Sequence, residues 1–447
     1  MEKAIPIFYT EYGRYLSRFR QIPFYMDCLT PVYRRILLSL HEIASSTKTV
    51  KSAKIVGHII GSYHPHGDSS AYGSLVSLYE QGFLDVQGNF GSMGLIDAKA
   101  SAYRYTEAKI KKWVDDFCFQ LIDYVEHDEY EYAVEPLFLP SPIPIGLVGN
   151  GGIYSGIAFH RTMVPRYKLS DLAKRLKWLI DKKGDEPIIY PTFEKDGCDV
   201  LKDDKDAKSI LNTGTGTITV IPRGKIIGKK LYVYGRVPLN SFNSLQDDDR
   251  LYIKDLSKKT IEIEIESIKK QTDYKKFYQE IYNKYLIKNL NINMFMCDVN
   301  GTVKLMSVDE ILLACYEYYV DANRYKLIDD CNRSLLKKFN NEIILRIRKI
   351  LQDNPEIKTI DEIIKIVNKK QISITTEEFK DDKWIKINKI INADHIKEVC
   401  KRSIKSLIEY KILLTDNDLE INDNKTKLIN NNKNCFQVII DLIGCKI

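Results

Sequence analysis

The chain has none of the usual signatures of secretion, membrane insertion or nucleotide binding. Its first residues, Met1-Glu2-Lys3-Ala4-Ile5-Pro6, lack the apolar core of a signal peptide. No apolar run is long enough to cross a bilayer. The nine cysteines are widely scattered and form no C-x-x-C pair, which points to reduced thiols in a cytoplasmic protein rather than to a disulfide framework. No G-x-x-x-x-G-K-[ST] loop occurs, so nucleotide binding by this chain is not expected. There is no internal repeat. His64 and His66 form an H-x-H, but no third ligand lies near them in sequence, and no metal site is expected on these residues.

What is present suits a large intracellular protein. At 447 residues and 44% apolar content the chain can build roughly two to four domains with real cores. Its 67 basic and 60 acidic residues leave a net +7, compatible with a polyanionic partner without requiring one. The basic residues are concentrated, however. Lys99, Arg104, Lys109, Lys111 and Lys112 surround one tyrosine, and Lys48, Lys51 and Lys54 lie upstream.

That tyrosine sits in Ala100-Ser101-Ala102-Tyr103-Arg104-Tyr105-Thr106-Glu107. A phenol titrates at about 10 and is a poor nucleophile at neutral pH. It is useful when the electrophile is a phosphodiester and the reaction must run both ways, because a phosphotyrosyl ester is close in energy to the bond it replaces. An adjacent guanidinium favours the phenolate and stabilises charge growing on phosphate oxygens. Other blocks precede it in order: Arg20-Gln21-Ile22-Pro23, Pro31-Val32-Tyr33-Arg34-Arg35-Ile36-Leu37, Lys51-Ser52-Ala53-Lys54-Ile55-Val56-Gly57, Tyr63-His64-Pro65-His66-Gly67-Asp68-Ser69 and Gln87-Gly88-Asn89-Phe90-Gly91-Ser92.

This succession resembles the DNA-cleaving component (GyrA-like, or A-type, chain) of bacterial type IIA topoisomerases, the family of gyrase and topoisomerase IV. There the blocks read R-A-L-P, D-G-x-K-P-V-x-R-R, K-S-A-R-x-V-G, Y-H-P-H-G-D-S, D-G-Q-G-N-F-G-S and A-x-R-Y-T-E. The close matches cover about the first third of the chain. The resemblance implies a multidomain α+β fold: a winged-helix DNA-cleavage domain over residues 10–135, an α/β tower domain over 136–306, and an antiparallel coiled coil with a small helical C-gate domain for dimerisation over 307–447.

Local patterns bear on the same division. Pro31 to Ile43 reads as an amphipathic helix with proline in its first turn. A second runs from Lys51 to Ile60, with Ile55, Val56, Ile59 and Ile60 on an apolar face. Asp68 or Ser69 is expected to cap a third, running to about Gln81. Ile110, Trp113, Val114 and Phe117 read as the apolar face of a helix beyond the tyrosine. Thr217–Ile221 and Ile261–Ile265 alternate like strands, and Asn289–Met294 and Met306–Ile311 are similar to the end of the family's tower. Leu336, Phe339, Ile343, Ile347 and Ile350 form one stripe of a long helix interrupted at Pro355. A second helical run contains Ile396, Val399, Cys400, Ile404, Leu407 and Ile408, and Asn430–Asn434 reads as a polar turn.

The resemblance assigns Tyr105 as the nucleophile with Arg104 beside it. It adds Arg20, Arg35, His64 and His66 to the cleavage site, and Arg34, Lys51, Lys54, Ser69 and Ile157 as DNA contacts. Ile157 stands in Ser155-Gly156-Ile157-Ala158, where the family's isoleucine wedges between base pairs, and Ile153 is an alternative in an altered loop. Three positions depart from the pattern: Cys28 and Thr30 replace a glycine and a lysine, and Gly73 replaces an acidic residue tied to drug binding. The family's metal-binding acidic cluster and ATPase are not recognisable here. Mg2+ and ATP are therefore expected on a separate B subunit with ATPase and TOPRIM domains, in an A2B2 assembly on double-stranded DNA, in the cytoplasm of a bacterial or phage-infected cell. Since the sequence ends at Ile447 without a β-pinwheel, relaxation or decatenation is expected rather than negative supercoiling. The alternative is a non-catalytic homologue, a decoy that binds DNA or occupies the B subunit.

Overall fold

The computed structural model describes residues 4–44, 48–64, 67–91, 99–130, 133–157, 160–237, 239–257, 261–380 and 383–400. It is a mixed helix and strand structure, as an α+β protein requires. It divides into two compact units, one through Tyr319 and one from Val320.

The first unit opens with helix α1 (Ala4–Leu16), which runs into a π-helical turn at Ser17–Gln21. Helices α2 (Pro31–Ile43), α3 (Ser52–Ser62) and α4 (Asp68–Glu80) then pack on one another. Proline at the first position of α2 loses no hydrogen bond, because that N–H has no partner within the helix. Ile36, Leu37 and Leu40 of α2, Ile55 and Ile59 of α3, and Ala71, Leu75 and Leu78 of α4 are all buried. Beside them, β1 (Val50–Lys51), β2 (Leu84–Gln87) and β3 (Glu107–Ile110) form an antiparallel sheet in the order β1-β3-β2. Two local expectations change here. Gly67, not Asp68 or Ser69, is the residue that precedes α4 as its cap, and no side chain caps the helix from that position. Ile110 closes β3, opposite Leu84, and the next helix, α5, spans only Lys112–Cys118.

A hairpin of β4 (His127–Tyr130) and β5 (Ala133–Pro136) follows, and the core beneath α2 is built on charge. Asp27 is fully buried and its carboxylate accepts four hydrogen bonds. Arg34 Nε donates at 2.6 Å and Nη2 at 3.2 Å, and the N–H groups of Leu29 and Leu139 donate at 3.0 Å each. Burial lowers the Arg34 pKa, but the adjacent Asp27 carboxylate outweighs it and the guanidinium is held firmly charged. Arg35, one residue on, makes a bidentate pair with Glu135 of β5 at 2.7 and 2.6 Å. Cys28 adopts φ +56°, a left-handed conformation natural to the glycine it replaces. Its carbonyl lies so close to Gly146 that a Cβ there would stand 2.3 Å away.

Next come the hairpin β6 (Gly152–Ile157) and β7 (His160–Pro165) and helix α6 (Leu169–Asp181). Strand β8 (Cys198–Val200), helix α7 (Asp204–Thr213) and strand β9 (Thr215–Pro222) lead to a four-stranded antiparallel sheet. That sheet comprises β10 (Gly224–Ile227), β11 (Lys230–Val233), β12 (Leu251–Asp255) and β13 (Ile263–Ser267), ordered β10-β11-β13-β12, with α8 (Leu239–Gln246) between β11 and β12 in sequence. Its alternating residues Leu231, Val233, Ile263 and Ile265 share a core with Tyr278 and Ile281 of α9 (Tyr274–Ile281). Strand β14 (Lys288–Asn293) pairs with β9, and β15 (Phe295–Cys297) with β16 (Val303–Leu305). Helix α10 (Val308–Asp353) begins in this unit.

In the second unit, Phe339, Ile343, Ile347 and Ile350 of α10 are buried with Ile363 and Val367 of α11 (Ile360–Lys370). Leu336 is exposed and falls outside the stripe. The helix stops two residues before Pro355, whose ring disfavours helical geometry at its predecessor. Between α11 and α12 (Ala393–Val399) lies a hairpin of β17 (Ser373–Lys380) and β18 (Lys383–Ile390), so this stretch is not wholly helical as expected. Its β-branched and aromatic residues pair across the ladder, as Phe379 does with Trp384. Ile404, Leu407, Ile408 and Asn430–Asn434 lie outside the described residues.

Asp27→Ala strands a buried guanidinium. A loss of about 3–5 kcal/mol is expected, read as a lower urea midpoint.

Candidate active site

Tyr105 ends a 3-10 turn, Tyr103–Tyr105, immediately before β3. The turn is fixed from three sides. Its own N–H closes on the Ala102 carbonyl at 2.9 Å. Beneath it, Gly88 at φ +93° comes so close that a Cβ would stand 2.8 Å from the Tyr105 carbonyl oxygen. Behind it, buried Thr106 is tied to the start of α3, its carbonyl accepting from Ser52 N–H and its hydroxyl donating to Ser52 Oγ, both at 2.9 Å. From α4, Tyr72 donates to the Ser101 carbonyl at 2.7 Å and lies 3.0 Å from the Thr106 hydroxyl. The result is a side chain presented outward from a rigid base, with Tyr105 69% exposed. The Arg104 guanidinium, also exposed, is centred 5.6 Å from its ring.

Other expected residues gather at the rim of this turn. Lys51, just before α3, pairs with Glu107 at 2.7 Å, and Thr49 donates to the same carboxylate at 2.7 Å. The hydrogen bonds from Lys51 and then Thr49 hold Glu107 below its usual pKa. Lys54 follows on an exposed part of α3. Ser69 is exposed in the first turn of α4, beside Asp68, whose carboxylate accepts from the Tyr103 hydroxyl at 3.0 Å.

The two arginines of α2 are placed otherwise than expected. Arg34 and Arg35 are both buried, their guanidinium groups spent on Asp27 and Glu135, so neither is a surface phosphate contact. Arg35 instead supports His64. Its Nη1 lies 3.0 Å from His64 Nδ1. Because arginine can only donate, Nδ1 is the acceptor and the ring proton sits on Nε2. His64 thus joins Arg35 and Glu135 in a buried chain at the end of α3, and His66 lies outside the described residues.

Arg20 and Ile157 sit on other elements of the unit. The Arg20 guanidinium lies 6.0 Å from the Tyr15 ring centre, in the π-helical turn. The following residue, Gln21, accepts at its carbonyl from Ser155 Oγ of β6. Ile157 closes that strand opposite His160, at the hairpin tip. Ile153 is buried in the core, which removes it as an alternative to Ile157.

Sequence reading missed the supports: Asp27, Ser52, Tyr72, Tyr103, Thr106 and Glu135. Ser52, Asp68, Gly88, Tyr103 and Thr106 stood within motif blocks, but the partners of Asp68 and Ser52 lie 35 and 54 residues away. Among the described residues, no group of three or more His, Cys, Asp or Glu side chains is placed to hold a metal ion. No helix among them is long and apolar enough to cross a membrane.

An exposed phenol beside a guanidinium, on a turn held by several hydrogen bonds, is equipped for attack on a phosphodiester. Comparison with known proteins gives the family. Residues 20–443 match the family model for the A-type chain of DNA gyrase/topoisomerase IV. The chain is 30% identical to the A-type chain of DNA gyrase from Clostridium acetobutylicum, over 80% of this chain and 45% of that protein. It is 29% identical to the corresponding gyrase chain of Metamycoplasma arthritidis, over 84% of this chain and 44% of that one. It is 27% identical to the A-type chain of DNA topoisomerase 4 from Rickettsia prowazekii, over 94% and 59% respectively. The chain belongs to the DNA gyrase/topoisomerase IV A-type family. It spans about half the length of the curated relatives it matches.

Gly88→Ala forces a Cβ against the Tyr105 carbonyl in a left-handed backbone. It is expected to cost about 1–3 kcal/mol, measured as a lower urea midpoint with an otherwise native far-ultraviolet spectrum.

Proposed function

We propose that this chain is the DNA breakage–reunion component of a type IIA topoisomerase, working with a separate B subunit. The observation that carries the reading is the placement of Tyr105: outward, beside Arg104, on a turn clamped by Gly88, Thr106 and Tyr72. Membership of the gyrase/topoisomerase IV A-type family supports it.

In the forward step the Tyr105 oxygen attacks a backbone phosphorus, and its proton leaves to water. The bond from phosphorus to the 3′ oxygen breaks and that oxygen takes a proton from water, leaving a 3′ hydroxyl and a 5′-phosphotyrosyl end. Resealing is the reverse attack by that hydroxyl, with one phosphate ester exchanged for another and no net energy input. Arg104 stabilises the charge on the phosphate oxygens in both directions. The rigid base matters because an error of about 1 Å in an attacking atom costs around 100-fold in rate. Arg35, with Glu135, orients His64, and so acts behind the site rather than on phosphate.

DNA is held, on this reading, by Lys51, Lys54 and the first turn of α4 with Ser69. The three helices with the β1-β3-β2 sheet act as a winged-helix reader, and residues 136–306 act as the tower. Helix N-termini suit phosphate, since their free N–H groups point outward. Arg20 contacts phosphate near the cleavage site, and Ile157, at the tip of the β6–β7 hairpin, wedges the duplex. Two copies dimerise through the winged-helix and C-gate regions and recruit two B subunits. Magnesium and ATP belong to the B subunit, where the metal polarises phosphate oxygens when bound. Such an enzyme works on double-stranded DNA in the cytoplasm.

The test mixes the chain with a B subunit, magnesium and supercoiled plasmid, then quenches with detergent. Wild type is expected to give linear DNA with protein on its 5′ ends, and Tyr105→Phe none, at equal DNA affinity. Trypsin cuts after Lys99, Arg104 and Lys109, so an adduct on Tyr105 and one on Tyr103 fall in different peptides. An adduct on the Tyr103 peptide reassigns the nucleophile. Stable complex and DNA binding without cleavage would establish the decoy alternative.

Affinity for DNA should fall steeply with salt. Each phosphate neutralised contributes about −0.9 to the slope of log K against log salt. Lys51→Ala and Lys54→Ala should each flatten that slope, and an unchanged slope removes the residue from the contact set.

A further inference from the structure

The tyrosine turn holds two phenols, and they are treated in opposite ways. Tyr105 points outward. Tyr103, two residues earlier, turns back onto α4, and its hydroxyl donates to Asp68 Oδ2 at 3.0 Å. Asp68 is the first residue of that helix, and its other oxygen accepts the Ser69 N–H at 2.8 Å. The Tyr103 ring also meets Tyr72 edge-on, with centroids 5.8 Å apart and planes at 70°. Tyr72 comes from the next turn of the same helix and carries the hydrogen bond to Ser101 described above. Helix α4 thus grips the tyrosine turn at Ser101 and Tyr103, on the N-terminal side of Tyr105.

We propose that Asp68 and Tyr103 form a positioning latch that makes helix α4 and the Tyr105 turn one rigid body. Docking of α4 on DNA then delivers the Tyr105 oxygen to its phosphate. The inference rests on Tyr105 being the nucleophile. The latch also disfavours the neighbouring phenol as a competitor. A carboxylate that accepts the Tyr103 proton holds that phenol above its usual pKa, and the same bond and the Ser69 N–H hold Asp68 below its own. Both groups keep the protonation states the bond requires throughout the neutral range.

Neither residue touches the reacting phosphate in this arrangement, so the expected effect is on rate at saturating DNA, not on affinity. Tyr103→Phe, which keeps the ring against Tyr72, should lower the single-turnover cleavage rate about ten-fold, short of the roughly 100-fold cost of an ångström's misplacement. Its DNA Kd should stay within about two-fold. Asp68→Ala should match its loss of rate, and the double variant should lose no more rate than either alone, as for two ends of one interaction. Asp68→Asn retains an acceptor oxygen and should recover most of the rate. Cleavage by Tyr103→Phe at the wild-type rate overturns the latch, as does a double variant whose loss is the product of the two single losses. Equal weakening of Kd and rate overturns it too, by making Asp68 and Tyr103 DNA contacts. Wild type runs in parallel as the control for the enzymatic reading. If it forms no 5′ adduct, that reading fails by itself; if it does, the variants report on the latch alone.

Discussion

The structure around Tyr105 turns on a carboxylate that never meets solvent. Asp27 gathers two bonds from Arg34 and two from backbone N–H groups, one in its own loop and one 112 residues away at Leu139. Its own carbonyl accepts from Gly146 at 2.8 Å. Such a group gains little over an apolar core of equal volume, yet it tolerates no half-measures, because either charge alone is costly. What it provides is registry. The loop before α2, the helix itself and the strand region after β5 can meet in only one way.

Arg34 and Arg35 extend that registry. Neighbouring residues on a helix point about 100° apart, so consecutive arginines reach different sides. One takes Asp27, the other Glu135 and, beyond it, His64 at the end of α3. Helix α2 is thereby pinned to three segments through two side chains. Helix α3 begins with Ser52 holding Thr106, and α4 supplies Tyr72 and Asp68. The exposed Tyr105 is the end of a continuous chain of contacts that starts in the buried core.

On the proposed function, a division of labour keeps the chemistry at the surface simple. A reversible transesterification needs a nucleophile, a cation for the developing charge and accurate placement. On the proposed function the first two are Tyr105 and Arg104, adjacent in sequence. Placement is the demanding part, and it takes a glycine that admits the turn, buried hydroxyls that tie it down and a helix that grips it.

Much of this was legible in the sequence. Helix α2 begins and ends where proline and the apolar period put it, and the strands around Thr217 and Ile263 follow from alternation, because local sterics and one buried face dictate them. The hairpin at Ser373–Ile390 was not, since in a polar, lysine-rich stretch the helical and strand periods compete and only the core beneath decides. Nor was the fate of Arg34 and Arg35: a motif marks them as important, but whether an arginine meets DNA or a carboxylate depends on what lies across the fold. Asp27 is seven residues from Arg34, while Glu135 is one hundred from Arg35. The sequence by itself determined the family and set Arg104 beside Tyr105, because these reside in contiguous residue types. Tertiary structure alone decided which side chains face outward and which hold them, because burial and hydrogen bonding are properties of residues brought together from distant parts of the chain.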